Sequence, residues 1–197
     1  MKNKGFTLVE LIVTFAIFSL LMASVAAILP NFVKQYSYVQ NSVQVDKIGT
    51  TLLDLIESEL SYADSILDIS KKDSNYNSVV EYRNNNLIKV RMGVVDKDNN
   101  IYNNIDPAIS DEQKNYLDEG LLVLIYYPID SVSKPSVWGY TENYYVKNRI
   151  TSFKVEKASD VYRDNILKIT LTLKHSETAQ EKTFTRYIEC KNVSNIS

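Results

Sequence analysis

From Phe6 to Leu29 the chain holds no Lys or Arg, and its polar side chains there are Thr7, Glu10, Thr14, Ser19 and Ser24. A run of that length lets a helix cross a hydrocarbon layer of about 30 Å. Past Pro30 the apolar pattern thins to one face. Phe32, Tyr36, Val39 and Val43, then Val45, Ile48, Leu52, Leu55, Ile56, Leu60 and Ala63 recur at helical intervals. The spacing predicts a helix from Phe6 to about Ile66, roughly 90 Å long at 1.5 Å per residue. Pro30 removes a helical hydrogen bond and crowds the preceding turn, so a bend is expected there, with a break into two helices as the alternative. Gly49 reads as a second soft point.

Asp68–Asn77 is polar and turn-like, and beyond it the period changes from 3.6 to 2. Ser78–Arg83 and Leu87–Val95 flank the turn-prone Asn84-Asn85-Asn86 and predict a hairpin. Ser110-Asp111-Glu112-Gln113 matches a capping box and Gly120 suits a helix end, which predicts a short helix over about Asp111–Asp118. Leu121–Tyr127 is continuously apolar, a strand covered on both faces. Val137–Val146 and Ile150–Lys157 are further strands. The last pair is the clearest hairpin: Leu167, Ile169, Leu171 and Leu173 share one face, and Thr183–Cys190 returns with Phe184, Ile188 and Cys190 in phase. Arg186 falls in that phase too, so it needs an acid partner or an open edge. The pattern predicts an α+β fold, with the long helix packed on an antiparallel sheet. Its expected parts are residues 1–5, a membrane helix over 6–30, an amphipathic continuation over 31–66 and a β-rich head over 67–197.

Glu10 is the anomaly in the apolar run. A carboxylate at mid-depth in a membrane costs about 2.5–3.5 kcal/mol and is kept where something answers its charge. The nearest cations, Lys2 and Lys4, precede the span, where positive charge marks the cytoplasmic end. The answering cation is then expected on another molecule. A plain signal anchor leaves the acid unexplained, and a secretory signal wants a better cleavage site than Ala26-Ala27-Ile28-Leu29-Pro30.

Lys4-Gly5-Phe6-Thr7-Leu8-Val9-Glu10 followed by an apolar helix resembles the class III signal of type IV prepilins and pseudopilins. The resemblance implies a pilin-like fold, cleavage after Gly5 by a prepilin peptidase, and N-methylation of Phe6. It also implies that Glu10 meets the methylated amine of a neighbouring subunit. The expected partners are the peptidase, other pilin or pseudopilin subunits and the assembly platform in the membrane. The expected location is the cytoplasmic membrane, single-pass with the N-terminus inside, and then an extracytoplasmic pilus or pseudopilus. The closing hairpin is similar to that of J-type minor pseudopilins, while Glu10 argues against the K-type tip subunits.

Composition narrows the rest. The 197 residues leave room for a span and one globular domain, and a net charge of −2, falling to −4 without Lys2 and Lys4, offers no strong field for nucleic acid or acidic lipid. The sole cysteine, Cys190, forms no intrachain disulfide and reads as a buried small hydrophobe. His175, the only histidine, sits in polar His175-Ser176-Glu177 and reads as a surface loop residue without triad partners. Asp96, Asp98 and Asn100 alternate like the opening of a calcium loop, but Ile101 and Pro107 occupy the positions of its glycine and bidentate acid, so a solvated turn is favoured. No phosphate loop, zinc spacing or nucleophile elbow is present, so no enzymatic activity and no cofactor are expected. The reading is a structural subunit, a minor pilin or pseudopilin. The alternative is a tip adhesin or DNA-capture pilin, for which Tyr126, Tyr127, Tyr140, Tyr144 and Tyr145 would form an exposed aromatic patch. Cross-strand packing is the commoner use of such tyrosines.

Overall fold

The computed structural model describes residues 7–72, 77–95, 118–129, 133–158 and 165–193. The chain divides into two compact units, Met1–Val43 and Gln44–Ser197.

The first unit is helical. Helix α1 runs Leu8–Leu60, and Pro30 lies inside it without ending it, so the alternative of two separate helices is not what forms. Every side chain from Thr7 to Gln40 is exposed. The few hydroxyls in the apolar run turn back on the helix itself: Thr14 donates to the Glu10 carbonyl at 2.7 Å, Ser19 to that of Phe15 at 2.7 Å and Ser24 to that of Leu20 at 2.9 Å. Each polar group thereby finds its partner within the helix, as a segment surrounded by hydrocarbon requires. The helix is long and apolar enough to cross a membrane.

In the second unit the last turns of α1 become amphipathic and bury Val45, Ile48, Gly49, Leu52, Leu53, Ile56 and Leu60. Two antiparallel sheets complete it. The first has the order β1 (Ser65–Lys72), β2 (Asn77–Arg83), β3 (Lys89–Val94), β4 (Leu122–Tyr127), β5 (Ser136–Gly139). The second has the order β6 (Asn148–Lys157), β7 (Ile166–His175), β8 (Glu181–Glu189). A four-residue helix, α2 (Glu142–Tyr145), stands between β5 and β6. This is the α+β architecture of a long helix followed by antiparallel sheets, a pilin-like plan.

The expected hairpins form. Asn84 shapes the β2–β3 turn by accepting the N–H groups of Asn86 and Ile88 at 3.1 and 3.0 Å. β4 is the apolar strand covered on both faces, with Leu121 to Ile125 wholly buried. Leu167, Ile169, Leu171 and Leu173 of β7 enter one continuous core with the α1 stripe and with Val90 and Met92 of β3. Asn77 and Ser78 join the sheets: Asn77 Oδ1 accepts the Phe153 N–H at 3.0 Å and Ser78 Oγ the Val155 N–H at 2.9 Å.

Four expectations differ from what forms. The helix stops at Leu60, and Ile66 lies in β1, which occupies part of the stretch read as a turn. The β1–β2 register shifts between Ile66 and Asp68, so Ile66 and Ile69 are three apart and the alternation that would have betrayed a strand is broken. The expected strand Val137–Val146 ends at Gly139 and gives way to α2, because Thr141 lies before it in extended conformation and its carbonyl accepts the Tyr144 N–H at 2.9 Å. Gly49 is no soft point but a notch: a Cβ there would lie 2.4 Å from the Phe184 ring of β8.

The helix meets the sheets through polar contacts as well. Arg186 of β8 finds its acids on α1, Asp54 at 2.5 Å and Glu57 at 2.7 Å, and Lys182 pairs with Asp46. Glu59 accepts the Tyr82 hydroxyl at 2.6 Å and that of Tyr126 at 3.3 Å. Tyr82 is wholly buried, so its hydroxyl needs that partner. Burial first, then the Glu59 carboxylate, pushes the Tyr126 phenol up to about 12.

Gly49→Ala tests the notch. In an exposed helix the change would stabilise by about 1 kcal/mol. Here the methyl group must displace the Phe184 ring, and we expect a net loss of about 1–3 kcal/mol in thermal or denaturant unfolding. Combining it with Phe184→Leu should cost less than the two single losses added together.

Candidate functional site

The charged group inside the apolar run sits at the first turn of α1. Thr7 stands immediately before Leu8, and its backbone N–H and its hydroxyl each donate to Glu10 Oε2 at 2.9 Å. In return Glu10 N–H donates to Thr7 Oγ1 at 3.3 Å. This is a reciprocal capping box, Thr at the N-cap and Glu three residues on. The carboxylate also lies at the positive end of the helix dipole.

Glu10 therefore has hydrogen-bond partners in its own chain, in addition to the cation expected on another molecule. They are hydrogen-bond donors, not a counter-charge, so they lessen the cost of the carboxylate without neutralising it. The signal was legible as Thr7-x-x-Glu10 directly before an apolar run, the same pattern read at Ser110. Gly5 and Phe6 lie outside the described residues.

The remaining candidates scatter. Asp96, Asp98 and Asn100 lie outside the described residues, as does nearly all of the helix expected over Asp111–Asp118. Among the described residues no three His, Cys, Asp or Glu side chains group as metal ligands would. His175 is not a surface loop residue. It closes β7, is 3% exposed, and its Nδ1 accepts the N–H groups of Glu177 and Thr178 at 3.3 and 3.2 Å. The alternation of Leu171 and Leu173 simply continues one step to His175, a phase signal that the polar neighbours masked. Cys190 is wholly buried, and burial pushes its thiol up to about 11. The five tyrosines do not share one patch: Tyr145 is wholly buried, with its hydroxyl accepting the Leu122 N–H at 2.9 Å, and Tyr126 is turned to Glu59.

A family model described as the prokaryotic N-terminal methylation motif matches residues 1–26. No curated protein and no solved structure matches the chain. The chain carries a type IV prepilin-like class III signal. That signal and the long apolar helix behind it make the N-terminal segment similar to that of type IV pilins and pseudopilins. Such a signal implies processing by prepilin peptidase and assembly with other pilins in the membrane.

Replacing Thr7 by Val keeps the shape and removes the cap. The helix start should lose about 1 kcal/mol, seen in detergent micelles as roughly fivefold faster amide exchange over the first turn, with residues beyond the second turn unchanged. Unchanged first-turn exchange would leave Glu10 without its proposed local support. For Cys190 the sign follows from its raised value. The folded state holds the thiol proton more tightly, so the advantage over Cys190→Ala should be whole below pH 9.0 and shrink as pH rises toward about 11. Denaturant midpoints of the two proteins across that range measure it.

Proposed function

We propose that this chain is a minor pilin or pseudopilin, cut after Gly5, methylated on Phe6 and packed through α1 into an extracytoplasmic filament. Glu10 carries the reading. Its Thr7 partners supply hydrogen bonds but no positive charge, and a second copy whose chain begins at Phe6 would supply a methylated amine at matching depth. The helix from Leu8 to Gln40 presents only exposed side chains to its surroundings, so lipid first and neighbouring helices afterwards are the media in which it is stable. Assignment as a minor component is supported by the single cysteine, which precludes an internal disulfide loop, and by the size of the part beyond Val43.

Two measurements test this. Mass spectrometry of the N-terminal peptide from cells with a prepilin peptidase should return a chain starting at methylated Phe6; an intact Met1 would end the reading. Glu10→Leu should still anchor in membranes, because removing the acid eases insertion. It should fail to enter sheared filaments, since losing one member of a buried charge pair costs about 3–5 kcal/mol. Glu10→Asp should fall between. Equal recovery of wild type and Glu10→Leu in filaments would remove Glu10 from assembly.

A further inference from the structure

The charged side chains that bracket the apolar stretch are Glu10 and Lys34. On the continuous helix α1 they lie about 36 Å apart at 1.5 Å per residue. A hydrocarbon layer of about 30 Å, with a few ångströms of headgroup region on each side, has that thickness. The polar side chains between them are Thr14, Ser19 and Ser24, which bond back to the helix, and one amide, Asn31. Around Lys34 the helix carries polar and aromatic groups together. Phe32 and Tyr36 follow one line of the helix, Lys34 and Tyr38 another, and at 3.6 residues per turn the two lines are nearly opposite. All four side chains are exposed. A partner protein docked on one face would be met by rings on that face. Rings on both sides at one level suit a medium that surrounds the helix. A phenol matches the boundary between hydrocarbon and water, and a lysine stem reaches from it into the headgroups.

Length and belt together fix the depth of the helix. A span over residues 6–30 would put Glu10 about one turn inside the hydrocarbon and leave Phe32 and Val33 in water. Sliding the helix by that turn exchanges Leu8 and Val9 for Phe32 and Val33, apolar pairs of similar size, and takes in the uncharged amide of Asn31. The apolar contributions nearly cancel. The carboxylate, costlier in hydrocarbon than an amide, then decides the position.

We propose that the helix crosses the bilayer with residues 11–33, with Lys34, Tyr36 and Tyr38 in the outer headgroup region and the cap of Thr7 and Glu10 in the inner one. The partner at both ends is a lipid surface, and Glu10 sets the depth before a second copy is met. At that level the carboxylate has water and headgroups on one side and its Thr7 donors on the other, so it bears its charge in the bilayer without a counter-ion. It enters apolar surroundings on leaving the membrane. The inference rests on the membrane anchoring and assembly proposed above.

The full chain in vesicles of phosphatidylcholine and phosphatidylglycerol tests the depth. Trp138, the only tryptophan, is replaced by Phe, and single reporters are introduced in turn as Phe18→Trp, Met22→Trp and Tyr36→Trp. Lipids brominated near the chain ends or near the headgroups quench each reporter according to its depth. Met22 is the midpoint of residues 11–33, so Met22→Trp should be quenched most by chain-end bromines and Tyr36→Trp by bromines near the headgroups. Adding Glu10→Leu removes the charge and should draw the deepest point from Met22 toward Phe18, so that these two reporters respond alike. Three results overturn the proposal: Phe18→Trp deepest with Glu10 in place, Tyr36→Trp unquenched by either lipid, or a profile that Glu10→Leu leaves unmoved. The reading beneath it fails in a different way. Quenching of no reporter at all ends membrane anchoring itself, whereas a profile centred on Phe18 sinks the depth assignment and leaves anchoring intact.

Discussion

The second unit depends on the burial of one apolar stripe on α1, Val45 through Leu60. Residues of both sheets join that stripe in a single core, and an apolar sheet face must be covered by another element to be stable in water. Close approach is the condition for the burial. At Gly49 the absence of a side chain lets the Phe184 ring lie against the helix backbone. The ion pairs of Arg186 and Lys182 then border the contact, where partial exposure keeps each worth no more than about 1 kcal/mol. They contribute register more than stability. Glu59 does the corresponding work toward the other sheet, since its two phenol donors, Tyr82 on β2 and Tyr126 on β4, flank Val90 of β3 in one row of the ladder.

Much of this was readable from the chain because long periodic signals survive context. The helix, the β2–β3 hairpin, the apolar β4 and the closing hairpin all announced themselves by period and turn chemistry. What was hidden had specific causes. A register shift concealed β1 by moving Ile69 out of step with Ile66. Tyrosines favour strands, so Tyr140 to Tyr145 resembled one until the turn at Thr141 decided otherwise. His175 was misplaced because polar neighbours outweighed its phase, and Gly49 because propensity says nothing about what packs on a helix.

The candidate site was legible in a different way. Its chemistry came from an inconsistency, a carboxylate in an apolar run, and such violations of local rules mark function more reliably than agreement does. The structure adds that the acid is not bare. Thr7 gives it two hydrogen bonds, and among the described residues no cation pairs with it.

The seam made by Asn77 and Ser78 has a consequence of its own. β6 ends the three-stranded sheet, and a ten-residue strand in that position would ordinarily offer its free N–H groups as a template to any passing chain. Two of those groups, on Phe153 and Val155, are already occupied by side chains that cannot propagate a ladder. At those two positions an added strand finds no N–H to pair with, so edge-to-edge sheet growth is hindered along that part of the margin without any loss of core.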